Sequence, residues 1–123
     1  MIDTSPLAGI RILVVEDDFL LAWNEQETLE EAGAVVIGPC SDESSALSAA
    51  EGLVDCAVID LNLGTGPTFK IAAALKAKDI PFVLVTGYDA TAIPNDMLDV
   101  KRLQKPVDNR ELVRAVCSLC DRG

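Results

Sequence analysis

Short apolar runs alternate with longer amphipathic stretches along this chain. Ile12-Leu13-Val14-Val15, Ala34-Val35-Val36-Ile37, Cys56-Ala57-Val58-Ile59 and Phe82-Val83-Leu84-Val85 are each too short for a helix. Apolar runs of this length, bounded by turn residues, predict strands buried on both faces, as in a parallel sheet. Gly33 precedes the second run, Gly38-Pro39 closes it, and Thr86-Gly87 ends the fourth. A fifth strand is predicted from Val100 to Leu103. Lys101 and Arg102 lie within it, which places it at the sheet edge.

The stretches between predict helices. Residues 19–32 set Phe19, Leu21, Trp23, Leu29 and Ala32 among Glu25, Glu27, Glu30 and Glu31, and Gly33 is a suitable stop. Ser41 is the expected cap of the second helix, with Asp42 and Glu43 in its first turn and an end near Glu51. Pro67 is expected to open the third, whose core face is Phe69, Ala72, Ala73 and Leu75. Pro94 and Asn95 interrupt residues 88–99, so a short or irregular fourth helix is expected there. Asp108 and Glu111 have capping-box spacing for the last helix, with Leu112, Ala115, Val116 and Leu119 facing the core. Five strands alternating with five helices define an α/β class. The expected architecture is a three-layer, doubly wound parallel sheet with right-handed crossovers. The pattern alone does not order the strands. No linker or repeat divides residues 1–123, so one domain is expected.

Composition narrows the function classes. Apolar residues make up 50% of the 123 and aromatics only 4%, so the core is aliphatic. A formal net charge of -10 argues against a direct nucleic-acid partner, which needs a basic footprint. There is no histidine, which removes histidine triads, histidine metal sites and a histidine general base. No apolar stretch approaches membrane-spanning length and no leader pattern is seen, so no membrane insertion and a cytoplasmic location are expected. Cys117 and Cys120 form a CxxC near the end of the last helix, where the helix dipole disfavours a thiolate. With no second CxxC to complete a zinc site, small-residue packing is the expected role of the cysteines.

The polar residues that follow the apolar runs carry the chemistry. Glu16 and Asp17 end the first strand, Asp60 the third and Thr86 the fourth, and Lys105 follows the fifth. In a parallel sheet these ends share one edge, where ligands bind. Three converging carboxylates repel one another. One lysine offsets one charge and a divalent cation the other two; an oxygen-only set suits Mg²⁺. Asp60 is the expected nucleophile for a phosphoryl group. Lys105 is the point-charge partner, and the Thr86 hydroxyl a donor to a phosphoryl oxygen. Each residue alone also fits an ordinary loop or strand exit; the combination at the correct strand ends is what is specific.

The pieces Val14-Val15-Glu16-Asp17, Val58-Ile59-Asp60-Leu61-Asn62, Val85-Thr86-Gly87 and Lys105-Pro106 resemble the receiver domain of two-component response regulators. The resemblance spans about residues 10–121 and implies a flavodoxin-like fold with strand order 2-1-3-4-5. It implies Mg²⁺ held by Glu16 or Asp17, Asp60 and the backbone carbonyl of Asn62. It also implies phosphate supplied by a sensor histidine kinase or a histidine phosphotransfer protein, with onward signalling or relay through protein contacts. Many receivers carry an aromatic switch residue three positions before the lysine; Arg102 stands there, and its expected role is partner contact. Tyr88 follows Thr86-Gly87, and Pro81-Phe82 through Tyr88 partly resembles single-domain receivers nicknamed for a Phe-Ala-Thr-Gly stretch. The chain stops after the last helix, so no output domain is expected. Gly87, Tyr88 and Arg102 are the expected switch and partner face.

Rival readings fit less well. A haloacid-dehalogenase-like phosphatase wants a second acid two residues after its aspartate, where Asn62 stands. Gly64 to Lys70 does not match a phosphate-binding P-loop. A receiver-like interaction module without phosphorylation would have no use for the intact acids, Thr86 and Lys105.

Overall fold

A computed structural model describes residues 5–64, 66–87, 97 and 99–120. The apolar runs become strands β1 (Arg11–Val15), β2 (Val35–Cys40) and β3 (Cys56–Asp60). A two-residue antiparallel hairpin follows, β4 (Asn62–Leu63) with β5 (Gly66–Pro67), and then β6 (Phe82–Thr86) and β7 (Arg102–Gln104). The five longer strands form one all-parallel sheet in the order β2-β1-β3-β6-β7. Without the hairpin this is the expected order 2-1-3-4-5. Four helices lie among the described residues: α1 (Phe19–Glu31), α2 (Glu43–Ala49), α3 (Phe69–Ala77) and α4 (Asn109–Leu119). The helix expected within residues 88–99 falls almost wholly outside the described residues, so α4 is the expected last helix.

Strand alternation divides the core into two layers. Ile12, Val14, Cys56, Val58, Val83 and Val85 face Leu29 of α1 and Leu112, Ala115 and Val116 of α4. Leu13, Val15, Ala57, Ile59 and Leu84 face Ala46 of α2 and Ile71, Ala72 and Leu75 of α3. All five β3 residues are buried, as a central strand covered on both faces requires.

Several element ends differ from expectation. β2 continues through Gly38-Pro39 to Cys40 because it carries one extra residue. Leu13 pairs with Ile37 but Val15 pairs with Cys40. Proline is tolerated at such a bulge on an edge strand. Gly38 is required there: its φ is +97°, and a Cβ would stand 2.6 Å from the Cys40 nitrogen. Asp42, not Ser41, caps α2, its carboxylate accepting from the Ser45 amide at 2.7 Å, and the helix ends at Ala49. Pro67 belongs to the β4–β5 hairpin, so α3 begins at Phe69. β7 is shifted to Arg102–Gln104 but is the edge strand, as expected.

The largest departure is on α1. Asp18 caps it by accepting from the Leu20 and Leu21 amides, and the buried positions are Ala22, Glu25 and Leu29. That 3–4 spacing turns Phe19 and Trp23 outward, 80% and 55% exposed. Of the expected apolar face, Leu29 and Ala32 are buried but Phe19, Leu21 and Trp23 are not, and an acid, Glu25, occupies the core side. No helix among the described residues is long and apolar enough to cross a membrane.

Candidate functional site

Adjacent strands carry their last residues to one edge of the sheet, and each polar group there has a local anchor. Glu16 follows β1, and its amide donates to the Cys40 carbonyl at 3.0 Å. The bulge in β2 therefore places the acceptor that fixes Glu16. Asp60 is the last residue of β3, in register with Val85 of β6. Lys105 follows β7, held by its amide donating to the Thr86 carbonyl at 2.7 Å.

The side chains meet. Lys105 Nζ donates to Asp60 Oδ2 at 2.9 Å and lies 3.5 Å from Glu16 Oε1. Asp60 is 5% exposed and Glu16 only 2%. The Asn62 amide donates to Asp60 Oδ1 at 3.2 Å, and the Asp18 amide to Glu16 Oε2 at 3.1 Å. Glu16 Oε1 is buried without a hydrogen bond; its contact with Lys105 is charge attraction at a distance too long for one. Exposed Asp17 leans over the site, its Oδ2 accepting from the Gly64 amide at 2.6 Å. Gly64 permits that approach, since a Cβ there would stand 3.1 Å from the same oxygen.

Electrostatics follow from burial and crowding. Desolvation, and then the crowding Asp60 carboxyl, push the Glu16 carboxyl up to about 7 against the opposing pull of the Asp18 amide and Lys105. Burial pulls the Lys105 ammonium down, but its bond to Asp60 and the charges of Glu16 and Asp60 outweigh this, and the net direction is up. Desolvation first, then the charge of Glu16, raises buried Glu25 to about 8. Its Oε1 also lacks a hydrogen bond.

Glu16, Asp17 and Asp60 each offer a carboxylate oxygen within 4.8 Å of the others. An all-oxygen set with one buried oxygen lacking a donor fits a hard divalent cation. The sequence reading therefore assembled Glu16, Asp17, Asp60 and Lys105 correctly as neighbours. Asn62 is beside them through its amide. Thr86 is at the expected strand end, but its hydroxyl is directed to the Leu103 carbonyl at a long 3.5 Å. Gly87 adjoins it, and Arg102 is exposed on β7. Tyr88 lies outside the described residues.

Two features had no sequence reading. Thr68, 1% exposed, donates its hydroxyl to the Asp60 and Leu61 carbonyls at 2.9 and 3.1 Å, tying the β3 end to the α3 start. Its signal is faint: a threonine beside a proline reads as a turn. The second is a hollow of about 270 Å³ lined by Glu16, Asp17, Phe19, Ala22, Trp23, Gln26, Pro39 and Ser41. It opens beside the acids and is walled by the outward aromatics of α1.

A doubly wound parallel sheet whose central strand ends in a buried carboxylate, paired to a lysine and flanked by two more acids, defines a receiver-type signalling module. The chain matches the response regulator receiver domain over residues 12–117, and it belongs to that family. It is similar to SdrG from Sphingomonas melonis Fr1, with 34% identity over 94% of this chain and 98% of that one, at a TM-score of 0.79. A response regulator receiver protein from Sinorhizobium medicae WSM419 gives 24% identity, 94% and 98% coverage and a TM-score of 0.79. A response regulator from Chloroflexus aurantiacus J-10-fl gives 21%, 92% and 98%, with a TM-score of 0.79. At those identities the last two likenesses are of fold. Among curated proteins none matches. Receivers are signalling modules in two-component systems rather than classical enzymes, and the family generally binds Mg²⁺ at an acidic pocket.

Proposed function

We propose that this protein accepts a phosphoryl group on Asp60 from a phosphohistidine of a sensor kinase or phosphotransfer protein. The observation that carries this reading is the Asp60 carboxylate, buried at the end of β3 and held at 2.9 Å by Lys105 within a cluster of three acids. An Asp60 oxygen attacks phosphorus, an O–P bond forms, and the N–P bond to histidine breaks, leaving its electron pair on the imidazole nitrogen. Lys105 moves from carboxylate to phosphoryl oxygen, and the Thr86 hydroxyl turns from Leu103 to a second one. Glu16, Asp17, Asp60 and the Asn62 carbonyl would hold Mg²⁺, which when bound neutralises charge on the phosphoryl oxygens. Water later attacks the same phosphorus, the O–P bond to Asp60 breaks and inorganic phosphate leaves, so the chain catalyses only its own phosphorylation and dephosphorylation.

The donor docks on the α1 side. Phe19, Leu20 and Trp23 are exposed beside the acids, an apolar patch of the kind that marks a protein contact. Output, as signal or relay, passes through Gly87, Tyr88 and Arg102 to a downstream protein, with no nucleic-acid contact and a cytoplasmic location. The test is incubation with acetyl phosphate and Mg²⁺ followed by intact mass. One phosphoryl is expected on the wild type and none on Asp60→Asn; equal labelling of a folded Asp60→Asn would sink the assignment.

A further inference from the structure

The cysteines that the signalling chemistry leaves unused are not arranged as the CxxC spacing suggests. Cys120, at the C-cap of α4, finds its partner across the fold. Its Sγ donates to Sγ of Cys56, the first residue of β3, at 3.2 Å. All four cysteines are free thiols. Cys56 is fully buried, whereas Cys120 is half-buried and lines an open hollow of about 300 Å³ with Gly9, Ile10 and Asp55. One sulfur is thus accessible and the other is sealed directly behind it. A disulfide bond needs the two sulfurs to close by roughly 1.1 Å from this separation.

We propose that Cys56 and Cys120 are a peroxide-sensitive modification site, oxidised to a disulfide that ties the end of α4 to the start of β3. Cys120 reacts first because it is the sulfur of the pair that peroxide can reach, and its place at a helix end, unfavourable to a thiolate, makes the reaction slow. Its sulfur attacks hydrogen peroxide, the S–O bond forms and the O–O bond breaks. The departing hydroxide takes the thiol proton and leaves as water. Cys56 then attacks the Cys120 sulfenic sulfur. The S–S bond forms, the S–O bond breaks, and the second hydroxide takes the Cys56 proton. Two thiols and one peroxide become one disulfide and two waters. Burial, and then the neighbouring Cys120, raise the Cys56 thiol, which suits a resolving role shielded from direct oxidation. Cys56 and Asp60 are the two ends of β3. The crosslink therefore forms at the edge of the sheet opposite the acidic pocket and leaves the acids untouched.

The test is exposure of the folded protein to hydrogen peroxide, acid quenching, alkylation of remaining thiols and peptide mapping. The expected product has lost two hydrogens, carries a Cys56–Cys120 linked peptide, and reverts with dithiothreitol. Cys117→Ser should form the same link. Cys120→Ser, a near-isosteric change at the half-buried helix cap, should form none and keep Cys56 reduced. A Cys117–Cys120 link in the wild type would overturn the proposal. So would Cys120 driven to sulfinic acid with Cys56 still alkylatable, or a link that appears only in urea. Phosphorylation of Cys120→Ser by acetyl phosphate is measured alongside and is expected to match wild type, which separates this site from Asp60.

Discussion

Lys105 Nζ lies 2.9 Å from Asp60 Oδ2 and 3.5 Å from Glu16 Oε1, so one ammonium serves two carboxylates that are almost wholly withdrawn from water. Removing a cation from such an arrangement leaves uncompensated buried charge, which costs more than the pair itself contributes. Lys105→Met keeps most of the apolar stem. It is expected to lower stability by about 2 kcal/mol at pH 8. The loss should shrink near pH 5, where Glu16 carries a proton. Urea denaturation at the two pH values checks this. Equal losses at both would mean that the lysine acts through packing alone.

Glu25 supplies a sharper pH dependence. Its carboxyl is raised to about 8 in the folded protein, above the ordinary value of 4.5. Between those values the folded state holds a proton that the unfolded chain has released, so stability falls as pH rises through that window. Glu16, raised to about 7, acts in the same direction. Glu25→Gln keeps the shape and removes the titration. The variant should be more stable than wild type by roughly 2–4 kcal/mol at pH 8 and indistinguishable from it at pH 4. Melting curves across pH 4–9 would show the wild type declining and the variant flatter; parallel curves would remove Glu25 as the cause.

Glu25 also shows where sequence legibility stopped. The parallel sheet, the edge position of β7 and the meeting of Glu16, Asp17, Asp60 and Lys105 were readable, because buried strands and their polar ends are local signals; the strand order came only from the resemblance to receiver domains. The α1 face was not. Phe19, Leu21 and Trp23 suggest an apolar face, but the phase of the helix is set by the Asp18 cap and the sheet beneath it. The β2 bulge was misread as a strand end because Gly38-Pro39 usually is one. The partner of Cys120 was unreadable for a different reason: Cys56 is 64 residues away, and only the packed fold brings the two sulfurs together.

Mg²⁺ is expected to raise the melting temperature of the wild type, since a ligand that binds only the folded state must stabilise it. The informative variant is Asp17→Asn. An amide oxygen can still accept from the Gly64 amide, which Asp17 Oδ2 now does at 2.6 Å, so the loop stays anchored while the charge is lost. Metal-free stability should stay the same or rise through relief of repulsion, and the Mg²⁺ response should fall at least tenfold in apparent affinity. A variant that responds to Mg²⁺ as the wild type does would remove Asp17 from the ligand set.

The hydroxyl of Thr86 faces the Leu103 carbonyl at 3.5 Å, long enough to be a weak bond that is easily exchanged. A phosphoryl group on Asp60 would present charged oxygens one strand away, and a charged acceptor outcompetes a neutral carbonyl. Turning Thr86 inward releases Leu103 and draws on Gly87, where a Cβ would meet nothing within 4 Å among the described residues. Arg102 precedes Leu103 on the edge strand and is exposed, so a change there alters a surface a partner can read. Beryllofluoride, as a phosphoryl mimic, should therefore change hydrogen exchange over residues 86–104 in the wild type. In Thr86→Ala the mimic should still bind at Asp60, but that change should be largely lost. Arg102→Ala should leave both binding and the exchange change intact while weakening partner capture by the phosphorylated protein. If residues 86–104 exchange alike with and without bound mimic, the relay from Asp60 through Thr86 to Arg102 does not operate.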